Sequence, residues 1–416
     1  PKVVKAACKN KQLDAKIIEE LLTIDEKRRE VLQTVEEIRA RSNANAAEIK
    51  KQVIAGGKPD SELVAQGKKI KGELKELEPQ LQDLDSQYED LLYQVPNVPA
   101  EDVPIGKDES GNVEVKTVGD IPTFDFEPKA HHDVLYNLDL LDTKRAVQIG
   151  GFRSYILKGD AVKLEQAVLR FAQEMLEKEG FTPMTVPVMV KPEAMWGTGY
   201  FPWGDEDHYR TQDDQILAGT SEVALTAYHQ GELLAEKDLP IKIMGISPCF
   251  RREIGSYGKD TQGIVRVHMF NKVEQVVLTV ADEEETRRWH EQMLGYSEKL
   301  LQALELPYHI LLMCTGDMGA GQRKKYDIET WFPQQNQYRE THSASYFNDF
   351  QSRRLNIRYQ AKKDGKTKFV YTLNNTMAAT PRLLAAIVEN YQQADGSIAV
   401  PKVLQKWVGK KKIEKN

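Results

Sequence analysis

The 416-residue sequence holds three cysteines, Cys8, Cys249 and Cys314, and no two are close in the chain. That argues against a disulfide framework and a cysteine-based zinc site, and it fits a reducing cytoplasm. No apolar run reaches the roughly eighteen residues that a membrane helix needs, so no membrane partner is expected. The first residues, Pro1-Lys2-Val3-Val4-Lys5, are too few and too polar for a secretory signal. The chain opens on Pro1 where Met would stand, which points to a trimmed or processed start. Histidine is also sparse. The adjacent pair His131-His132 cannot share a helix face, and no third ligand is evident, so it predicts no metal site. A formal charge of −6 offers no global attraction to nucleic acid, and any such partner must be met by a local patch. What remains is the composition of a globular protein, 29% charged and 40% hydrophobic, long enough for two domains.

Residues 12 to about 54 read as one long helix. Ile17, Leu21, Ile24, Val31, Val35, Ile38 and Ile49 fall on a heptad seam, with Arg28, Ser42 and Asn45 as polar interruptions. Gly56-Gly57-Lys58-Pro59-Asp60 breaks the pattern. A second helix carries Leu63, Ile70, Leu74, Leu77, Leu81, Leu84, Tyr88 and Leu91 at alternating three-four spacing. Pro79 lies inside it and should kink it or remove one backbone bond. The expectation is an antiparallel hairpin roughly 60 Å long. Residues 39–75 hold nine Lys/Arg and four Asp/Glu, while residues 76–90 hold six acids and no base. A basic tip on a thin rod suits the phosphates of a folded RNA. An ordinary solvated coiled coil or a dimerisation rod fits the same pattern. Residues 96–125 are punctuated by Pro and Gly, which places a boundary near 105 between a hairpin (1–105) and an α/β pattern (106–416).

In the second part, residues 164–178 form an amphipathic helix, and the run 180–190 is extended with two prolines, the mark of an edge strand that can meet a second subunit. Trp196-Gly197-Thr198-Gly199-Tyr200 reads as a plain turn. Ala218-Gly219-Thr220-Ser221-Glu222 starts a helix, with Thr220 as a candidate cap. Residues 241–250 make a strand that ends on Arg251 and Glu253. A second strand over 265–274 puts Arg266, His268, Phe270, Lys272 and Glu274 on one face. A salt-bridged outer face would show the same alternation. The polar connection 255–263 is longer than an ordinary hairpin loop, and long loops tend to be functional. Glu340 and Ser343 have opposite strand parity, so one site can use both only if the strand bulges or ends between them. Thr380 can cap a helix that begins at Pro381, and Arg382 in its first turn makes sense beside an anion. The lysine-rich tail after Gly409 is expected to be disordered.

These stretches resemble the class II aminoacyl-tRNA synthetases. The proline-bearing strand is similar to their first motif, Phe250-Arg251-Arg252-Glu253 with residues 266–274 to their second, and residues 374–390 to their third. More narrowly, the chain resembles the bacterial-type seryl-tRNA synthetases. The likeness rests on the hairpin, the Thr-Ser-Glu loop, Arg-x-His-x-Phe-x-Lys-Val-Glu, Cys314-Thr315-Gly316-Asp317-Met318-Gly319 and Asp349-Phe350-Gln351-Ser352-Arg353-Arg354. It departs at Ser221 and Ala344, where relatives often carry Ala and Cys. The resemblance implies an α+β fold, an antiparallel sheet flanked by helices behind a coiled-coil arm. It implies activation of L-serine by ATP and Mg2+, transfer to serine tRNA with selenocysteine tRNA left open as a second acceptor, no zinc, a homodimer and a cytoplasmic location.

It also implies roles by residue. Arg251, Arg382 and Glu340 would be catalytic. Arg251 would hold the α-phosphate, Glu253 the adenine amino group, Phe270 the adenine ring, and Arg382, with Arg266, the γ-phosphate end. Arg252, Thr341, His342 and Ser343 would complete the nucleotide contacts, and Glu340 and Ser343 would hold magnesium. Thr220, Ser221 and Glu222 would receive the serine ammonium. Glu274 and Thr376 would meet its hydroxyl, with Asn374 lining the pocket and Arg251 shared between substrates. Residues 39–75 would grip the long variable arm of the tRNA, and the 255–263 connection would approach its acceptor end. A ligase that charges a carrier protein would not need the arm, and a non-catalytic paralogue would not need Arg251, Glu340 and Arg382.

Overall fold

The heptad seam forms as the spacing requires. In the computed structural model, which describes residues 1–254, 260 and 262–415, helices α1 (Lys2–Asn10), α2 (Lys16–Ile54) and α3 (Ser61–Tyr93) make the first compact unit, Pro1–Pro96. Val35, Ile38, Ile70 and Leu81 are buried between α2 and α3. Partner positions fall along α3 as they rise along α2, from Arg28–Asp85 to Arg39–Glu78 and Arg41–Glu73, so the helices are antiparallel. The polar interruptions of the seam are satisfied. Arg28 pairs with Asp85 and lies over the Tyr88 ring at 4.9 Å. Buried Asn45 donates to Leu63 O and Gln66 Oε1. Gly67 faces it, and an added Cβ would sit 3.1 Å from Asn45 Oδ1. Pro79 is exposed and α3 continues through it. The periodicity did not disclose α1, which is nine residues long and buries only Ala7 and Cys8.

The second unit is Asn97–Asn416, so compactness divides the chain at 96/97 and not near 105. Pro and Gly signal irregular backbone, not loose backbone. Asn97 N–H already donates to Ala320 O, Ala100 N–H to Arg323 O, and Val103 is buried. In chain order the helices are α4 (His131–Asn137), α5 (Thr143–Gly150), α6 (Asp160–Lys178), α7 (Pro192–Thr198), α8 (Glu222–Ala227), α9 (Glu283–Ala303), α10 (Phe350–Leu355), α11 (Arg382–Asn390) and α12 (Gln405–Val408). The strands are β1 (Val113–Val118), β2 (Thr182–Met184), β3 (Met189–Val190), β4 (Tyr209–Arg210), β5 (Ile216–Leu217), β6 (Leu233–Ala235), β7 (Ile241–Phe250) and β8 (Met269–Thr279). They continue as β9 (Tyr308–Leu312), β10 (Lys324–Phe332), β11 (Gln337–Asn348), β12 (Arg358–Gln360), β13 (Thr367–Phe369), β14 (Tyr371–Ala379), β15 (Ile398–Ala399) and β16 (Lys412–Ile413).

Eight strands form the central sheet in the order β1-β9-β10-β11-β14-β8-β7-β2. All its pairs are antiparallel except β2 with β7, and β2, with Pro183, stands at the edge as expected. The fold is the α+β arrangement that the motifs imply. One face of the sheet is covered by α9: Asn375 Nδ2 donates to Met293 O, and Gln275 lies beside it on β8. Residues of opposite parity on the same strands, Glu274 and Thr376, therefore point to the other face.

Four local expectations need correction. The strand expected from 265 begins at Met269, and 264–268 is irregular. Trp196-Gly197-Thr198 closes α7, and Gly199 supplies its left-handed cap at φ +84°. Thr380 does not cap α11. Its hydroxyl donates to Glu165 and Asn271 O, because β14 brings it against α6 and β8 first. The tail is ordered over residues 410–415: β16 pairs with β15, Ile413 is fully buried, and Lys410 binds Asp160.

Candidate active site

The open face of the sheet collects the reactive side chains by register. Cys249 pairs with Phe270, Ser247 with Lys272, Gly245 with Glu274, and Glu274 with Thr376. Ser345 pairs with Asn374, and Asp327 with Ser343. Each pair shares a face. Between β10 and β11 the register slips, Ile328 meeting His342 and Glu329 meeting Glu340, so Thr341 is the extra residue of a bulge. That bulge turns Glu340 to the side that Ser343 already faces. The parity conflict seen in the sequence has this cause.

One cleft on this face is lined by Arg251, Glu253, Val265, Arg266, Val267, Phe270, Glu340, Thr341, His342, Ser343 and Arg382. The Arg251 guanidinium lies 5.2 Å from the Phe270 ring centroid, and its Nε donates to Gly219 O. Arg266 donates to Glu253 Oε2 at 2.8 Å. Arg382, the first residue of α11, donates to the Glu340 carboxylate and carbonyl at 3.0 Å. Burial pushes the Glu340 carboxyl up, but Arg382 and Lys325 outweigh it and hold the group at about 2, ionised at neutral pH. His342 is buried, hydrogen-bonded to Thr341 Oγ1 and Met377 O, and burial pushes its ring down to about 4, so it is neutral. Three guanidinium groups around one cleft suit a polyphosphate.

A second cavity shares Arg251, Lys272, Ser343 and Thr376 with the first and adds Tyr200, Glu222, Glu274 and Asn374. Glu222 is buried. Tyr200 donates to its Oε2 at 2.7 Å and Gln351 to its Oε1 at 2.9 Å. Burial, and then the neighbouring Glu274, push the Glu222 carboxyl above its usual range. Lys272 is 4% exposed and Glu274 1%. The lysine ion-pairs with Glu274 and donates to Thr220 Oγ1 at 2.7 Å. Lys272 is taken up by Glu274, and Arg251 lines the same cavity, so the four charges balance overall. The Glu222 carboxyl is held by the neutral Tyr200 and Gln351, a setting that can receive a small cation.

Most of the residues singled out in the sequence converge here, and a few do not. Arg252 points away, its guanidinium on Glu206 O. Ser221 packs beneath the site against Gly245, where an added Cβ would lie 2.5 Å from its hydroxyl. Thr220 meets the site through Lys272 and accepts from Glu222 N–H. His268 leaves the cleft and bonds Arg251 O, since the backbone before Met269 does not alternate. Residues 255–259 and 261 of the long connection lie outside the described residues. Sequence reasoning missed Tyr200, Gln351, Val265 and Val267. Tyr200 stood in the glycine-bearing stretch read as a turn, and Gln351 in the Asp-Phe-Gln motif. Lys272 was on the right face but carried no role. Among the described residues no group of three or more His, Cys, Asp or Glu is placed to hold a metal ion, and no helix is long and apolar enough to cross a membrane. The pair His131-His132 serves elsewhere.

Comparison with known proteins follows the same division. The tRNA synthetase class II core domain (G, H, P, S and T) matches residues 206–391, and the seryl-tRNA synthetase N-terminal domain matches residues 1–99. A serine–tRNA ligase of Deinococcus radiodurans is 44% identical over 406 residues, covering 97% of this chain and 94% of that protein. One of Pseudothermotoga lettingae is 42% identical over 412 residues, covering 98% and 96%. The crystal structure of seryl-tRNA synthetase from Pyrococcus horikoshii complexed with ATP matches with a TM-score of 0.90 at 39% identity, over 100% of this chain and 98% of that one. The cytoplasmic serine–tRNA ligase of Naegleria fowleri in complex with AMP matches at 0.86 and 32% identity, over 100% and 96%. Likeness of this degree spans the hairpin, the sheet and the cleft together, and the chain belongs to the seryl-tRNA synthetases of class II.

Proposed function

We propose that this chain activates L-serine with ATP in the cleft described and transfers it to serine tRNA. The observation that carries the reading is the single sheet face on which the arginine-lined cleft and the acid-lined cavity share Arg251. The serine carboxylate attacks the α-phosphate. An oxygen–phosphorus bond forms, the bond to the β-phosphate oxygen breaks, and pyrophosphate leaves. A ribose hydroxyl of the tRNA then attacks the acyl carbon and AMP departs. No protein nucleophile is needed; the chain binds charge and fixes geometry. Arg251 stands where both cavities meet and would hold the α-phosphate as its charge shifts. Phe270 would stack on adenine and Glu253 would accept from its amino group. Arg266 and Arg382 would hold the distal phosphates, with Thr341, His342 and Ser343 shaping the floor. Arg252 supports a nucleotide role less, since it lies outside the cleft.

Glu222 would take the serine ammonium, since its carboxyl is held by the neutral Tyr200 and Gln351, and Glu274 with Thr376 would meet the hydroxyl beside Asn374. Thr220 would act through Lys272, and Ser221 would support the loop from below. A cavity built on buried hydrogen-bonding groups discriminates strongly against an analogue that lacks the hydroxyl. Magnesium fits the donors present: the ionised Glu340 and the Ser343 hydroxyl are hard oxygen ligands on one face. When bound with the nucleotide, it would neutralise phosphate charge.

The hairpin is the tRNA arm in this reading. Lys50, Lys58, Lys68, Lys69, Lys71 and Lys75 are exposed and form no ion pair among the described residues, so they remain available to phosphates. Such an arm reads shape more than bases, and selenocysteine tRNA fits as a second acceptor. A homodimer is supported by the exposed Val147, Ile149, Phe152 and Met269 and by the open edge of β2. Three buried free cysteines suit the cytoplasm. The test is ATP–pyrophosphate exchange with each of the twenty amino acids. Serine alone should support exchange, and exchange with another amino acid but not serine would overturn the reading.

A further inference from the structure

Residues 264–267 deliver Arg266 and Val267 to the nucleotide cleft, yet they lie outside the sheet ladder, which ends at Phe250 opposite Met269. Backbone without ladder bonds needs other partners to hold one position. Three side chains from distant segments supply them. Ile264 N–H donates to His131 Nε2 at 3.2 Å, Arg382 Nε donates to Val265 O at 3.1 Å, and Arg153 donates to Arg266 O at 3.0 Å.

His131 is the least accessible of these anchors, 2% exposed. Because its Nε2 accepts, its ring proton belongs on Nδ1, which donates to Glu389 Oε1 at 2.8 Å. Glu389 is itself fully buried, and both its oxygens accept: Oε1 also from His131 N–H, and Oε2 from Gln334 N–H. Arg382 and Glu389 stand at the two ends of α11. One helix therefore grips the segment twice, directly at Val265 and through the imidazole at Ile264. Gly263 confirms how closely the ring approaches. Its φ is +76°, and a Cβ there would lie 2.2 Å from His131 Nε2.

We propose that His131, oriented by Glu389, is a positioning residue for the nucleotide. It fixes the backbone at Ile264 and so sets where Arg266 and Val267 stand in the cleft. The proposal rests on the reading of that cleft as the ATP site. It predicts an ATP-specific defect from a residue that touches no substrate.

The test measures KM for ATP and for serine separately in pyrophosphate exchange. In His131→Asn the shorter side chain reaches Glu389 but not Ile264, and KM for ATP should rise about tenfold, the worth of one buried hydrogen bond, with KM for serine within about twofold. In His131→Gln the amide oxygen reaches the place of Nε2 and should restore most of the loss. The double variant His131→Asn with Arg266→Ala should fall well short of the product of the two single effects, since His131 acts through Arg266 in large part and through Val267 for the rest. Multiplying effects, an equal rise in KM for serine, or a glutamine as poor as asparagine would overturn the proposal. If His131→Asn does not fold, Gly263→Ala sets a methyl against the His131 ring, pushes the same backbone away from it and should give the same ATP-specific defect; a normal KM for ATP there would also overturn it. A wild-type protein without serine-dependent exchange, or an Arg266→Ala variant with normal KM for ATP, would instead sink the reading of the cleft.

Discussion

Arg39 and Glu78 meet across the hairpin at 2.7 Å with about half of each side chain open to solvent, while Lys272 and Glu274 meet in the second unit with at most 6% of either side chain exposed. The two pairs have the same chemistry and opposite energetics. An exposed pair contributes about 0–1 kcal/mol, because water serves either partner nearly as well. A buried pair is weak as a net source of stability, but removing one member leaves a charge with nothing to replace it, at roughly 3–5 kcal/mol. Hairpin charges can thus exchange their partners for a phosphate at little cost. Charges in the cavity are locked in place by one another.

The largest test of that contrast is Lys272→Met. It strands Glu274 beside Glu222 and should cost roughly 3–5 kcal/mol of stability in denaturant unfolding, with a steep rise in KM for serine. A loss under about 1 kcal/mol would mean that the cavity behaves like the hairpin. Next is the hairpin itself. Replacing Lys50, Lys58, Lys68, Lys69, Lys71 and Lys75 by Ser should leave pyrophosphate exchange unchanged and weaken tRNA binding. Each lost phosphate contact should reduce the slope of log K against log salt by about 0.7–0.9. An unchanged slope would remove the proposed role of the arm.

Tyr200→Phe should act more subtly. Glu222 carries a raised pKa, from burial first and Glu274 second, and the Tyr200 hydroxyl opposes that rise. A carboxyl raised in the folded state contributes stability that is full below its unfolded value and is lost as pH rises through the folded value. In the proposed role Glu222 meets the serine ammonium group in its ionised form, so KM for serine should climb as pH falls. Removing the hydroxyl raises Glu222 further, and the climb should begin at higher pH than in the wild type. A profile of KM for serine from pH 5 to 9 checks the direction, and a shift the other way would contradict it. The smallest effect belongs to Glu78→Ala, which should change stability by no more than about 1 kcal/mol and leave KM for serine unchanged.

The hairpin could be read residue by residue. Its seam, its polar interruptions and its break at Gly56-Gly57 follow from a period that every helix shares. The site was legible where strands alternate without fault, as at Phe270, Lys272 and Glu274. It was illegible where alternation fails. Thr341 is one extra residue, and only its partner strand shows which way Glu340 then faces. His268 belonged to the same run as Phe270 by parity, yet it lies in backbone that is not a strand. Tyr200 acquires its role from Glu222, which is far closer in space than its reading as a turn suggested. The tail after Gly409 looked disordered from its lysines, but Ile413 buries itself on the core and carries them along.

By itself the sequence determined the two units, the helical period of one, the strand parity of most of the other, and the motifs whose order marks the family. The tertiary structure alone decided which side chains share a face across the bulge, which basic groups stay free, and that a histidine and a glutamate outside the cleft hold one of its walls. The physical reason is range. Periodicity comes from dihedral angles that each residue sets with its neighbours, whereas register, burial and hydrogen-bond partners depend on segments more than a hundred positions apart, as His131, Ile264 and Glu389 are.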